Sequence, residues 1–421
     1  MSDGLASRAA ALAVLSEVLR KRRPLDLALE NLPHLESRDA GFTRVIATET
    51  LRRLGQIEAL IRHFVPKAPP PHKAGPTLEI LYAGACELLF LDVAAHAAVD
   101  AANRLAQADA KAVHFKSLIN AVLRRVSREG KAMVAAQDAA RLNTPDWLWH
   151  RWCDAYGEET ARTIADAHTR QPPVDLVLKE AGLKAPVGEA LFDNVIRLTD
   201  AGRIDALAGF AEGNWWVQDA AATLPVRLLG DVRGKTVIDL CAAPGGKTMQ
   251  LAAAGAQVVA MEREAARLER VRENLARTKL DATLVQSDVR DFRPEILADF
   301  VLLDAPCAAT GTIRRHPELP WIKSASDVTL CEQGAAELLD AAAGMVAPGG
   351  LLVFAVCSLE PEEGVEQVER FLQRDARFAR VPVISSDVFG RDELISADGD
   401  LRTLPNHGMD GFFAARVRRA N

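Results

Sequence analysis

Two short motifs carry thiols at the ends of apolar runs. Asp304-Ala305-Pro306-Cys307 closes the run FVLLD at 300–304, and Val356-Cys357-Ser358 closes LLVFA at 351–355. Each run reads as a strand. In open α/β sheets ligands bind just beyond the carboxyl ends of strands, so a cysteine on each of two such ends can face one crevice. Upstream, DLCAAPGGKT at 239–248 supplies a nucleotide-type cofactor loop for the same crevice. A sulfur nucleophile beside a cofactor loop suits methylation of carbon 5 of a pyrimidine.

The physical case for cysteine is direct. Carbon 5 of cytosine is a poor nucleophile until another nucleophile adds at carbon 6 and turns the ring into an enamine. A free thiol is only about 3% thiolate at neutral pH, so the site must favour the anion. Draining charge from the adduct requires a proton or hydrogen bond at ring nitrogen 3, and Asp304 lies three residues before Cys307 in the same strand-end turn. A base must then remove the carbon-5 proton and the thiol must leave, a stage for which a second cysteine is available. Free cysteines are more often core fillers. That reading is adopted for Cys86, Cys153 and Cys331, which have helical apolar settings, and Cys241 is expected to pack within the cofactor loop.

In the loop, small residues after the strand let backbone approach a ligand, and Gly245-Gly246 permits a sharp turn into a helix. The spacing is neither G-x-x-x-x-G-K nor G-x-G-x-x-G. Glu262, at the next strand end, is placed to accept from ribose hydroxyls, and Asp288, ending the third strand, from an adenine amino group. Each acid taken singly is as well explained as a solvated strand-end residue. Three in series at strand ends, Glu262, Asp288 and Asp304, favour binding.

Positioning these residues requires an α/β sheet. From 236 onward, TVIDLCA, VVAME, TLVQSD, FVLLDAP and LLVFAVC alternate with helical stretches after Gly246, over 264–278 and over 326–346. That is a βαβ series and implies a parallel sheet with helices on both faces. DGFFAARVRR at 410–419 reads as a closing antiparallel edge strand. Between 172 and 235, PPVDLVL and NVIRL read as strands, and NWWVQDAAATLPVRLL turns from extended chain into helix.

Residues 5–130 instead repeat the helical period, as in ALAVLSEVLR, FTRVIATETLRRL, TLEILYAGACELLFL and KSLINAVLRRV, so an all-α domain is expected. Residues 5–19 read as an amphipathic first helix rather than a signal peptide, because Leu12, Leu15 and Leu19 recur at helical spacing and Glu17 interrupts the run. The stretch PKAPPPHKAGP at 66–76 is expected to be a loop, since prolines lack donors and fix φ. Asn143-Thr144-Pro145 marks a helix start and a boundary. The expected domains are an all-α unit at 1–135, a connecting and RNA-recognition subdomain at 140–225 and a catalytic domain at 226–421.

Six cysteines without a C-x-x-C pair indicate neither a zinc site nor a disulfide framework, and no metal is expected. They fit a reducing cytoplasm. No stretch approaches a bilayer span, so no membrane partner is expected. The net charge is −6, yet residues 1–135 hold 19 Lys and Arg against 14 Asp and Glu, which favours phosphate contact at the front, a bare charged helix surface being nearly as good an explanation.

The cysteine and cofactor motifs resemble those of the RNA cytosine-C5 methyltransferases of the RsmB/NOP family. By that resemblance the fold is a Rossmann-like S-adenosylmethionine-dependent methyltransferase domain, Cys357 of the T-C-S motif is the nucleophile, and Cys307 of the P-C motif assists product release. The resemblance also assigns Cys241, Ala242, Ala243, Pro244, Gly245, Gly246 and Lys247 to the S-adenosylmethionine loop, with Lys247 in the active site, and gives Glu262, Asp288 and Asp304 the remaining cofactor and substrate contacts. It extends to TGTIRRHPELPW at 310–321 and LPNHGMDGFF at 404–413. Arg314, Arg315 and His316, which follow Cys307, are candidate phosphate contacts, the plainer reading being a solvated basic turn.

At the front, LESRDAGFTRVIATETLRRL, AAHAAVDAANRLA and FKSLINAVLRRV resemble a NusB-like RNA-binding domain. The fusion is similar to bacterial members that act on 16S ribosomal RNA, which makes that RNA the expected partner of a monomeric enzyme. Val356 replaces the family's threonine, and QPPVDLVLK at 171–179 replaces a more basic strand. The competing readings are a methyltransferase for another RNA such as tRNA, a DNA enzyme with Cys307 as nucleophile, and a non-catalytic RNA-binding assembly factor.

Overall fold

The computed structural model describes residues 4–67, 69–180, 182–199 and 201–421. The chain forms two compact units, one of residues 1–171 with 313–324 and the other of 172–312 with 325–421.

The first unit is helical, with Leu5–Lys21, Ser37–Arg52, Leu54–Phe64, Thr77–Leu89, Ala95–Ala108 and Lys116–Ala135 as its longer elements. Each turns one apolar stripe inward: Leu12, Leu15 and Val18 of the first helix are buried, as are Ile46, Leu51, Ile57, Leu60, Ile80, Ile119 and Leu123. Gly84 lets two helices approach closely, since a Cβ there would stand 2.8 Å from Leu123 Cδ1. The proline-rich stretch departs from the expected loop: Pro71–Ala74 forms one helical turn. Proline is tolerated at the first helical position because the amide it lacks would be unpaired there. Ala68 lies outside the described residues.

Asn143 and Thr144 do not cap the helix Asp146–Tyr156. Asn143 Oδ1 accepts from the Gln56 amide at 3.1 Å, and Thr144 donates to the Ala140 carbonyl at 2.9 Å. That helix and Glu158–His168 therefore remain with the front unit. The expected subdomain at 140–225 is accordingly divided between the two units, and the boundary lies near residue 171 rather than 140.

The segment 313–324 also packs in the first unit. Trp321 Nε1 donates to the Leu51 carbonyl at 2.9 Å, Arg22 Nε to that of Ile322 at 2.8 Å, and Arg52 Nη1 to that of Arg314 at 2.7 Å. Nothing in its local pattern announces this placement.

The second unit opens with an antiparallel sheet of β1 (Val174–Leu178), β2 (Gly188–Phe192), β3 (Val195–Leu198) and β4 (Trp215–Val217) in the order β2-β3-β1-β4. Buried Asp175 joins it to the next helix, pairing with Arg197 at 2.7 Å and accepting from the Ala220 amide at 3.1 Å. The larger sheet comprises β5 (Thr236–Leu240), β6 (Gln257–Glu262), β7 (Thr283–Gln286), β8 (Ala298–Asp304), β9 (Val346–Val356), β10 (Phe378–Arg380), β11 (Leu401–Thr403) and β12 (Phe412–Arg419). Its order is β10-β12-β9-β8-β5-β6-β7, with β11 on β12. The strands from β9 to β7 in that order run parallel, β12 pairs antiparallel with β9, and β10 and β11 each pair antiparallel with β12.

Helices on both faces explain the unbroken apolar runs. Val353 and Ala355 of β9 enter one core with Leu224, Met249 and Leu275, while Phe354 and Val356 enter the other with Leu339 and Phe371. The closing strand is antiparallel as expected but internal, because β10 covers its outer side. The chain runs outward from β5 to β7 and then returns to the other side of β5 as β8, so the direction of winding reverses between β5 and β8. A crevice at the carboxyl ends of these strands is the expected ligand site.

Candidate active site

At the end of β5, Cys241 takes a left-handed φ of 58° and Gly245 a φ of 104°, which bends the chain into the helix Gly246–Ala253. A side chain at Gly245 would be strained by that φ. The Ala243 and Pro244 carbonyls are tied down by Arg267 Nη2 at 3.1 Å and Asn274 Nδ2 at 3.0 Å. Asp239, fully buried at the end of β5, accepts from Thr248 Oγ1 at 2.6 Å and so locks the strand to the new helix. Burial first, and the nearby Asp304 charge, push the Asp239 carboxyl up to about 7. Sequence reasoning passed over this residue, although an acid inside an apolar strand run is itself a signal.

Beside the loop lies a cavity of about 320 Å³ lined by Cys241, Glu262, Asp288, Pro306, Cys331 and Leu338 among others. Glu262 Oε1 accepts from the amides of Arg263 and Glu264 at 2.9 and 3.2 Å. Its Oε2 faces Arg267 Nη1 at 3.3 Å, yet it is buried and receives no hydrogen bond among the described residues. A ligand hydroxyl would satisfy that acceptor. Asp288 lies two residues beyond β7 and is held by Arg290 Nη2 at 2.7 Å, the chief reason its carboxyl falls to about 2. Cys331, expected in the core, instead lines the cavity with part of its side chain exposed. Cys86 is wholly buried, and burial raises its thiol. Burial likewise raises Cys241, to about 12, so both favour the protonated thiol.

The two motif thiols meet. Cys307 Sγ and Cys357 Sγ are 3.5 Å apart, and both residues are partly exposed. Their loops are braced together: the Gly311 amide donates to the Cys357 carbonyl at 3.1 Å, the Leu359 amide to Thr310 Oγ1 at 3.0 Å, and Arg402 Nη1 to the Ser358 carbonyl at 2.7 Å. Gly311 is required by a close backbone approach, since a Cβ there would lie 1.9 Å from the Gly411 oxygen. The hydrogen bond with Cys357 and then burial raise the Cys307 thiol well above its ordinary value. Cys307 therefore holds its proton and can donate it to the Cys357 sulfur. At the end of β8, Asp304 Oδ2 pairs with Lys247 Nζ at 2.7 Å, and the ammonium also lies 5.1 Å from the centre of the Phe412 ring.

The suggested phosphate contacts are placed otherwise. Arg314, Arg315 and His316 belong to the segment that packs in the first unit. Arg314 is only 4% exposed, so it is not available to a phosphate; Arg315 and His316 are half-buried. Among the described residues no three His, Cys, Asp or Glu side chains are grouped to hold a metal, and no helix is long and apolar enough to cross a membrane.

Comparison with known proteins agrees with this constellation. Residues 226–418 match the family model of the 16S rRNA methyltransferase RsmB/F, and residues 5–128 match the NusB family. The ribosomal RNA small subunit methyltransferase B of Cronobacter sakazakii is 35% identical over 441 residues, covering 99% of each chain. The chain belongs to the RsmB/F family of 16S rRNA methyltransferases. Its relative of the same name in Pasteurella multocida is 33% identical over 446 residues, covering 99% of this chain and 96% of the other. Among solved structures, PH0851 has the same fold, with a TM-score of 0.76 at 23% identity over 98% of this chain and 99% of its own. The NusB match thus lies within the helical front unit, and the methyltransferase match carries the paired thiols, Lys247 and the cavity. The protein is an RNA methyltransferase.

Proposed function

We propose that the protein methylates carbon 5 of a cytosine in 16S ribosomal RNA, with S-adenosylmethionine as cofactor and a covalent cysteine adduct at carbon 6. The observation that carries the mechanism is the pair of thiols 3.5 Å apart at the ends of adjacent strands. S-adenosylmethionine supplies the methyl group as an electrophile. Its residues are the loop Cys241–Lys247, Glu262 for the ribose hydroxyls, and Asp288, whose carboxylate stays ionised and able to accept from an amino group.

The Cys357 thiolate adds to carbon 6, and the electron pair displaced from the ring double bond makes carbon 5 nucleophilic. Asp304, with the Lys247 ammonium, places a proton beside ring nitrogen 3. After carbon 5 is methylated, solvent water takes its remaining proton, the electron pair of that bond re-forms the ring double bond and expels the Cys357 sulfur from carbon 6, and the Cys307 thiol donates a proton to the departing sulfur. A paired cytosine must leave its helix to reach the site, at about a few kcal/mol, which favours unpaired or unassembled RNA. RNA from a strain lacking the protein should gain 5-methylcytosine in its 16S species when incubated with the protein and cofactor. Modification confined to another RNA would overturn the substrate.

Two further expectations follow. Glu262→Ala removes up to two charge-assisted hydrogen bonds and should weaken S-adenosylmethionine binding by roughly 1.5 to 3 kcal/mol by calorimetry. Unchanged affinity would return Glu262 to a purely structural role. In the front unit, a groove of about 440 Å³ is lined by His96, Asn103, Asn120, Arg124 and Arg128 among others. Replacing both arginines by alanine should flatten the dependence of RNA affinity on salt, by about one phosphate contact for each arginine. Equal slopes in a titration series would remove them from the interface.

A further inference from the structure

Glu363 is fully buried in the turn Pro361–Glu363 that follows the Cys357 strand, and it lies in neither thiol motif. Burying a carboxylate is costly unless it is hydrogen-bonded. Its Oε1 accepts from the backbone amide of Ala308 at 2.8 Å, and Ala308 is the residue next to Cys307. We propose that Glu363 is a positioning residue for the second thiol: its carboxylate clamps the Cys307 loop to the turn after Cys357 and so sets how the two sulfurs meet. The proposal rests on the assignment of Cys357 to attack and Cys307 to release.

The clamp differs from the other cross-braces because it holds the Cys307 loop itself by a carboxylate. The Thr310 and Ser358 hydroxyls, 3.2 Å apart, and the Gly311 amide on the Cys357 carbonyl fix geometry alone. Glu363 adds a negative charge whose field reaches the Cys307 sulfur. The titratable groups acting most strongly on Cys307 are Cys357, at the end of β9, and Glu363; both favour the protonated thiol, Cys357 more strongly. Glu363 thus favours a proton on Cys307 while fixing its loop.

Two variants separate the contributions. Glu363→Gln retains an oxygen that accepts from Ala308 but removes the charge; Glu363→Ala removes both. In the full-length protein, the pH dependence of Cys307 alkylation by iodoacetamide, read by mass spectrometry of the Cys307 peptide, should move to lower pH in the Gln variant. In Glu363→Ala, denaturing gels with labelled 16S RNA should show the covalent species persisting at least tenfold longer than in the parent, with Glu363→Gln restoring most of the release rate. An unmoved alkylation profile in Glu363→Gln would overturn the electrostatic part. Equal loss of attack and release in a folded Glu363→Ala protein would reduce the residue to general support. The alkylation profile does not depend on which cysteine attacks RNA, so it tests the effect of the Glu363 charge on Cys307 even if the two thiol roles are exchanged. Should Glu363→Ala fail to fold, the Gln variant alone still decides the electrostatic part.

Discussion

Cys357→Ala is expected to abolish turnover and any covalent protein–RNA species, because carbon 5 cannot act as a nucleophile without addition at carbon 6. Cys307→Ala should have the opposite signature: it should still attack and methylate once, then release slowly, so a stable adduct accumulates. The structure gives this contrast its basis. The sulfurs are 3.5 Å apart, and the Cys307 thiol is raised well above its ordinary value by its hydrogen bond to Cys357 and then by burial. Denaturing gels with labelled RNA should therefore show a shifted band for Cys307→Ala and none for Cys357→Ala. The reverse pattern would move the nucleophile to Cys307, as in the DNA enzymes.

Asp304→Asn should lower single-turnover methyl transfer by about 10²- to 10⁴-fold, the usual span for losing a positioned proton-transfer group. The amide preserves the size of the side chain and an acceptor for Lys247 Nζ, so the pair observed at 2.7 Å need not fall apart. The charge that anchors the ammonium beside ring nitrogen 3 is lost. Lys247→Met should fall in the same range. Combined with Asp304→Asn it should be little worse than the more damaging single change, because groups acting as a unit are not additive. A loss below threefold for Asp304→Asn, measured at saturating cofactor, would show that nitrogen 3 receives no help from this pair.

Much of the catalytic unit was legible because β5, β6, β8 and β9 are buried on both faces and hence read as continuous apolar runs bounded by turns. Strands β10 and β11 are three residues each, too short for periodicity to register, and β2 begins with exposed Gly188, Glu189 and Ala190. The two thiols, Lys247 and Glu262 were singled out by their motifs and strand-end positions, and the structure brings the thiols to 3.5 Å, pairs Lys247 with Asp304 and sets Glu262 on the cavity. Glu363 was missed because the run Glu360-Pro361-Glu362-Glu363 looks like a solvated acidic turn, whereas both Glu360 and Glu363 are fully buried. Arg314 illustrates the converse error. In sequence it belongs to a basic turn, but burial is decided by distant helices that local pattern does not report.

The excursion of residues 313–324 into the helical unit bears on how the protein can be dissected. Deleting everything before residue 172 does not leave an intact catalytic fragment. Leu319, Pro320 and Ile322, all buried in the full chain, would be stripped of their covering helices, and the Trp321 indole would lose its acceptor on Leu51. The fragment would carry an adhesive apolar tongue about a dozen residues downstream of Cys307, prone to self-association. Inactivity of such a fragment would be no measure of what the front helices contribute to RNA recognition. Amino-acid replacements within the complete chain are the sound way to ask that question.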